Sequence, residues 1–579
     1  MTFSGASAAH TIDTQAEPGL LRLRVLATSD LHAHLFPFNY FTDCRDDSVG
    51  LATLAALIQR ARSETPNTVL FDNGDTFQGG PLADAALSEM VPQGDVHPMI
   101  AAMNALGYDA ATLGNHDFDF GLDVLDRVIA PARYPVVLAN ARRVGGGGNL
   151  VVRHAILDRN LVDDAGAVRP LRIGVTGAIP PQVMRWARPQ LNGQLEVEAI
   201  LPAIQREVGN LRAKGADLVI VLAHSGLGAD ADITEGENVG RLLARLDGVD
   251  AVIAGHTHRL FPRPDDPTGL IDGVPLVQPG CWGSHLGQID LTLRPCAKDT
   301  GGGGPEWQVH SAKASLRANA DATATDRASL RNGLQQLPVF RRQMARGHRL
   351  TRAHSARPLG ETAVALETYF SLIAPCAATQ VIADAQRAAV ARLLAGRDDL
   401  AGLPLISVVT PFKAGGRGGP GHYSDVPMGA VLLRHAADLY AYANGLVVVC
   451  ATGAQIRAWL ERSVSAFCRI DPARSAPQPL IDMDFASYNF DRMEGLRYDI
   501  DLTQEAMTNA TGDVIRTGVG RIRNLRLCGG APVRAGDKFL LITSAYRAAG
   551  GGHFPDAAEC QVVFSTPNPV RSLLINHIT

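Results

Sequence analysis

The sequence contains no run of 18 apolar residues, so no segment reads as a membrane-spanning helix. It carries little net charge, -4 over 579 residues, which gives no support for a nucleic-acid coat or a membrane-surface patch. Any phosphate must therefore be bound locally, by metal ions or a few placed cations. The eight cysteines form no C-x-x-C pair, so zinc-finger and thioredoxin readings are unsupported and ordinary thiols are expected. The N-terminal residues lack a basic segment followed by a long apolar core. LLRLRVLAT, with two arginines, reads as a first strand and not as a secretory signal.

What is present is alternation. The length implies two domains, and the 46% of hydrophobic residues can fill both cores. Short apolar runs near 21–28, 68–72, 110–114, 135–139, 171–177, 217–223 and 250–254 read as buried strands. GLATLAALIQRARSE and LPAIQREVGNLRAKG, which lie between them, read as helices. This predicts an α/β layered domain over 21–320, after a loose tail at 1–20. GGGG within 296–306 reads as a loop, and 321–357 as a connecting helix. A second α/β domain is expected over 358–579. Its strands are LISVVTP, GLVVVCAT and KFLLITSAY, and its helices ETYFSLIA, VIADAQRAAVARLLAG and AQIRAWLERSVSAF.

Five polar motifs follow apolar runs in the first domain. They are Asp30-Leu-His32, Gly74-Asp75, Gly114-Asn115-His116-Asp117, His224 and His256-Thr-His258. The carboxyl ends of strands in an α/β sheet open on a common crevice, so motifs distant in sequence can meet there. Carboxylates and imidazoles are ligands for zinc, manganese, cobalt or iron. Two such ions can clamp a phosphate and lower the pKa of water. A structural role for all five motifs would require every buried polar side chain to find a partner.

These motifs, in this order, resemble those of the calcineurin-like metallophosphoesterases. DNGDTFQGGPLAD and LGNHDFDFG are similar to the 5'-nucleotidase branch. PFNYFTD, QPGCWGSHLG, PFKAGGRGGPGHYSDVP, SYNFDRMEG and YRAAGGGHFP resemble the bacterial bifunctional 2',3'-cyclic-nucleotide 2'-phosphodiesterase/3'-nucleotidases. The resemblance spans about residues 22 to 560. It implies an N-terminal metallophosphoesterase domain, a connecting helix and a C-terminal 5'-nucleotidase-type substrate domain. It also implies two divalent ions, one held by Asp30, His32, Asp75 and His258, the other by Asp75, Asn115, His224 and His256. His116 would face the phosphate, oriented by Asp119. His34 and His285 are expected outside the ligand set.

Selectivity would come from the second domain. Lys413 and Arg417 lie in a glycine-rich loop that an anion can approach. The resemblance places a nucleobase between two aromatic rings, here Tyr442 and Tyr546, with Tyr440 the alternative to Tyr442. YANG stands where Tyr-Pro-Asn-Thr is usual in that family, which leaves the choice between the first two tyrosines open. The expected activity is hydrolysis of nucleoside 2',3'-cyclic phosphates and of 3'-nucleotides. The alternatives are a 5'-nucleotidase or nucleotide-sugar hydrolase, and an inactive nucleotide-binding protein. The expected partners are small nucleotides, with neither nucleic-acid polymer nor membrane. The resemblance implies a periplasmic location; with no signal visible, a cytoplasmic one stays open.

Overall fold

Side chains alternate along Leu21–Thr28, and that alternation sets the layering of the first domain. Leu23, Val25 and Ala27 enter one apolar cluster and Leu26 enters another on the opposite face. The computed structural model describes residues 19–579, apart from 147, 229–235, 296–306, 324, 328–337 and 443. Most of the tail expected at 1–20, the GGGG loop and part of the expected connector therefore lie outside the described residues.

One sheet runs in the order Trp307–Ala318, His285–Pro295, Leu21–Thr28, Thr68–Asp72, Ala110–Ala111. Its last three strands are parallel, and the two C-terminal strands join them antiparallel. The second sheet runs Leu260–Phe261, Val274–Pro279, Ala251–Ala254, Leu218–Ala223, Val168–Ala178, His154–Val162, with its four central strands parallel. Phe71, Ile220, Leu222 and Ile253 lie in the apolar cluster shared by the two sheets. Helix Leu51–Glu64 packs on the outer face of the first sheet and Ile200–Ala213 on that of the second. Each buried Ile or Leu of these helices contributes about 1.5–3 kcal/mol relative to exposure. The result is helix, sheet, sheet, helix, with the parallel strands of both sheets ending near one crevice.

Two sequence expectations need correction, and two strands were not foreseen. The run 135–139 forms only isolated bridges at Val136 and Val137, because its N–H groups go to different segments: Val137 N to Ala111 O, Leu138 N to Val152 O and Ala139 N to Gly177 O. ETYFSLIA is not a helix: Leu366–Glu367 pairs with Asp425–Val426, Thr368 N donates to Ser424 O, and turns follow. Strands His154–Val162 and Trp307–Ala318 had not been expected, because half-exposed outer strands carry too many polar residues to read as apolar runs.

Helix Pro338–Ser355 lies along the first domain. Tyr40 Oη is 2.8 Å from His348 Nδ1, Arg352 Nε donates to Asp43 at 2.8 Å, and His354 Nδ1 is 2.7 Å from Glu89. The second domain is built on the sheet Arg492–Glu494, Leu405–Val409, Lys538–Ser544, Gly445–Thr452, Gln561–Pro569. Helix Gly453–Ser463 packs on one face, with helices Ala377–Leu393 and Val570–Ile578 on the other. Across the domains, Arg571 Nη2 donates to Asp84 at 2.9 Å. The seven described cysteines are all free thiols.

Candidate active site

Strands Leu21–Thr28, Thr68–Asp72, Ala110–Ala111, Leu218–Ala223 and Ala251–Ala254 each deliver polar residues just beyond their carboxyl ends, and after three of them the backbone bends sharply to do so. Asp30, His32, Asp75, His256 and His258 all take positive φ, between 46° and 68°. Non-glycine residues rarely adopt this region, and such strain persists only where the surroundings enforce it. Gly114 is one enforcing contact: a Cβ there would lie 2.2 Å from Asp75 Oδ1. The Asp117 carboxylate accepts N–H bonds from Gly114, Asp75, Thr76 and Phe77, so it braces the turn instead of facing the crevice.

Two groups of side chains place their donor atoms within 4.8 Å of one another: Asp30, His32 and His258, and Asp30, Asp75 and His224. His32 Nε2 lies 3.0 Å from His258 Nε2 and 3.8 Å from Asp75 Oδ2. His258 Nε2 is 3.4 Å from Asp30 Oδ1. Asp75 thus stands between His32 and His224, and Asp30 reaches His224 as well as His258.

The hydrogen bonds orient the rings. His32 Nδ1 donates to Gln78 O at 2.9 Å and His224 Nδ1 to Asn73 O at 2.8 Å, so each Nε2 is turned into the crevice. Burial pushes the His224 imidazolium down, but the charges of Asp75 and Asp30 outweigh it and raise the pKa to about 9, so its Nε2 carries a proton until a cation displaces it. Burial holds the His32 pKa down to about 3, which keeps the ring neutral, as a ligand must be. His224 Nε2 lies 3.0 Å from Asp75 Oδ2 without an aligned hydrogen bond, and the buried Asn115 Oδ1 has no partner. An imidazole nitrogen facing a carboxylate beside an orphaned amide oxygen is a donor set that fits divalent cations, which would take the place of the imidazolium proton. His256 is placed differently: its Nε2 bonds Glu237 Oε1 at 3.0 Å, which leaves Nδ1 as the nitrogen available to an ion.

His116 stands beside these groups. Its Nδ1 donates to Asp119 Oδ2 at 2.9 Å, and its backbone N–H donates to Asp75 Oδ1 at 2.7 Å. Burial alone would push the imidazolium down, but the charges of Asp119 and Asp75 outweigh it and raise the pKa to about 9.

The second domain closes the crevice with aromatic rings. Tyr442 stacks on His116, centroids 5.6 Å apart at 28°. Tyr546 tilts against Trp186 at 5.8 Å, and Trp186 stacks on His256 at 5.6 Å and 18°. Trp282, itself at φ 60, lies between His34 at 5.2 Å and His422 of the second domain at 6.2 Å.

The family described as calcineurin-like phosphoesterase matches residues 23–260, and the 5'-nucleotidase C-terminal domain matches 358–559. A Salmonella typhimurium protein named 2',3'-cyclic-nucleotide 2'-phosphodiesterase/3'-nucleotidase is 38% identical over 582 residues, covering 99% of this chain and 88% of its own. The chain belongs to that family of two-domain calcineurin-like phosphoesterases. It is also 35% identical, over 96% of its length, to the Bacillus subtilis trifunctional nucleotide phosphoesterase protein YfkN, of whose length it spans 38%. The solved structure of a putative 5'-nucleotidase from Staphylococcus aureus shares the fold, with a TM-score of 0.68, 20% identity and 96% of each chain covered. Membership makes the chain a metallophosphoesterase, a hydrolase that works with divalent metal ions.

Within that family frame, the structure brings seven expected positions, Asp30, His32, Asp75, Asn115, His224, His256 and His258, to one crevice beside His116 and Asp119. It also brings Tyr442 and Tyr546 there, and it separates two other expected residues from them. Tyr440 is buried in the core of the second domain, edge-on to Phe412 at 5.0 Å. Tyr440 caps the end of helix Leu433–Leu439, which packs on that core, and the bend after it turns Tyr442 outward. The Lys413 ammonium is ion-paired to Asp438 and sits 3.8 Å over the Phe41 ring, so it fastens the domain contact. Arg417 lies over Tyr488 at 5.7 Å, and its Nη2 is 3.3 Å from Tyr488 Oη. His34 packs on Trp282 outside the ligand groups, and His285 is half-buried with its Nδ1 3.1 Å from Ser284 Oγ. The sequence reading missed Trp186, Trp282 and Glu237. Trp282 had a usable signal, since it lies within the string QPGCWGSHLG; Trp186, at the end of the short helix Val183–Trp186, had none. Glu237 also had none. Among the described residues, no helix is long and apolar enough to cross a membrane.

Proposed function

We propose that this protein is a dimetal hydrolase that opens nucleoside 2',3'-cyclic phosphates to 3'-nucleotides and then removes the 3'-phosphate. The observation that carries the reading is the Asp75 carboxylate between two donor groups, 3.8 Å from His32 Nε2 and 3.0 Å from His224 Nε2, overhung by a nucleobase-sized aromatic, Tyr442, from the second domain. The Salmonella protein of that name, similar over 99% of this chain, supports the choice of ester.

In this reading Asp30, His32, Asp75 and His258 hold one ion, and Asp75, Asn115, His224 and His256 the other. Bound divalent ions supply Lewis acidity to the phosphate and acidify water. The neutral His32 ring and the ionised carboxylates are already in ligand form. His116, held by Asp119, keeps its proton at neutral pH and aims it at the crevice. Water adds to phosphorus, the P–O2' bond breaks, and O2' takes a proton, for which His116 is the donor. In the second step the P–O3' bond breaks in the same way. Tyr442 and Tyr546 receive the base on their faces and Arg417 adds positive charge nearby. Stacking reads little of base identity, so purine and pyrimidine nucleotides should both be accepted.

The test is a substrate panel of 2',3'-cyclic AMP, 3'-AMP and 5'-AMP, run on protein stripped by a chelator and reloaded with zinc, manganese, cobalt or iron separately. Turnover of the first two esters, restored by metal, is expected. Turnover of 5'-AMP alone would sink the reading in favour of a 5'-nucleotidase.

A further inference from the structure

His256 is gripped from three sides. Its backbone N–H donates to both Asp30 carboxylate oxygens, at 3.1 and 3.2 Å. Trp186 covers one ring face. Glu237 Oε1 accepts from Nε2 at 3.0 Å, in a pair whose side chains are only 13% and 21% exposed. Glu237 belongs to no regular element, so its position needs its own support, and the turn after His224 supplies it. Ser225 Oγ donates to Glu237 O at 2.7 Å and accepts from Val239 N at 2.9 Å. Gly226 N donates to Asn238 Oδ1 at 3.0 Å, an approach that a side chain at 226 would block, since a Cβ there would lie 2.5 Å from that oxygen. The turn that carries one expected ligand, His224, therefore also fixes the carboxylate that holds another, His256.

We infer that Glu237 is a positioning residue for the metal centre: by accepting the Nε2 proton of His256 it fixes the tautomer and ring plane that present Nδ1 to an ion. The inference rests on the reading of His256 as a ligand. A carboxylate on the far nitrogen makes an imidazole a more basic and better-aimed ligand. Loss of such a partner costs about 10–100-fold in metal affinity.

The test uses the full chain, stripped with a chelator and titrated with manganese(II) alone. Paramagnetic resonance reports whether two exchange-coupled ions or one isolated ion are bound, and it needs no substrate. Glu237→Ala and the length-matched, non-accepting Glu237→Met should bind the first ion normally. Both should weaken the second by about 10–100-fold, so that the coupled signal appears only at higher manganese. Glu237→Gln, whose amide oxygen still accepts from Nε2, should recover most of the affinity. Wild-type affinity for both ions in the Ala and Met variants would overturn the inference, and the Met variant alone decides it if the Ala variant does not fold. His256→Ala separates the two levels. If it loses the second ion while Glu237→Met keeps it, only the role of Glu237 falls. If it too keeps both ions, the ligand assignment itself falls.

Discussion

The ligand groups of the first domain and the aromatic rings that meet them from the second are fixed by different forces. Asp30, His32, Asp75, His256 and His258 are held by backbone in an unfavourable region, and the turn at Asp75 is braced by Gly114 and by the four N–H bonds to Asp117. Tyr442 and Tyr546 are half-buried and are held by ring contacts with Phe412, His116 and Trp186. A centre that must hold cations at fixed separation repays rigidity, because a lone pair displaced by a fraction of an ångström is a lost ligand. In the proposed reading the rings receive flat bases of differing size, which needs only a face. Mutations in the first region should therefore act on all substrates and on metal content, and mutations in the second on affinity.

The largest effect is expected at Asp75, which lies between both imidazole sets. Asp75→Asn should cut turnover of every phosphoester by about 10^4-fold or more and lower the bound metal measured by elemental analysis. If one ester kept its rate, the two regions would not divide as described. His116→Ala should lower kcat by about 10^2–10^4-fold with both ions retained. The folded pKa of His116 is raised to about 9, so its proton is present below that value and lost as pH climbs through it. The wild-type rate should accordingly fall above about pH 9, and the alanine variant should lack that limb.

Next comes the tyrosine pair. Tyr442→Ala should raise KM for 3'-AMP by the equivalent of about 1–3 kcal/mol of stacking, with kcat changed less. Tyr440→Ala should instead lower the melting temperature, by opening a cavity beside Phe412, and leave the KM of the folded protein near wild type. The reverse pattern would exchange the roles of the two rings.

The smallest effect is expected away from both regions, at Glu64, which pairs with Arg317 and Arg24. The hydrogen bond from Arg317, with those from Arg24, holds its carboxyl at about 2 against 4.5 for an unperturbed group. A depressed pKa stabilises the fold above about pH 4.5, and the gain disappears as pH falls towards 2. Glu64→Gln should lower the melting temperature slightly at neutral pH, by less than about 1 kcal/mol in stability for a partly exposed pair, and the gap should close in acid.

The two tyrosines also show where sequence reading stops. Residues 440 and 442 lie two apart and share a residue type, and only the close of helix Leu433–Leu439 onto the second core decides which ring is buried. Lys413 shows the same limit. A lysine in a glycine-rich loop reads as an anion ligand until Asp438 and Phe41 are seen to occupy it, and these come from a helix 25 residues on and from the other domain.

The sequence alone determined the chemistry of the first domain. Its motifs follow apolar runs whose layering obeys local periodicity, and residue types suited to metals carry over wherever such strands end together. It did not determine that Glu237 secures His256, nor whether Tyr440 or Tyr442 overhangs the crevice, nor that Trp186 and Trp282 line it. Those contacts join residues far apart in the chain, and no local pattern encodes them. Only the packing of two sheets, and of one domain against the other, sets them.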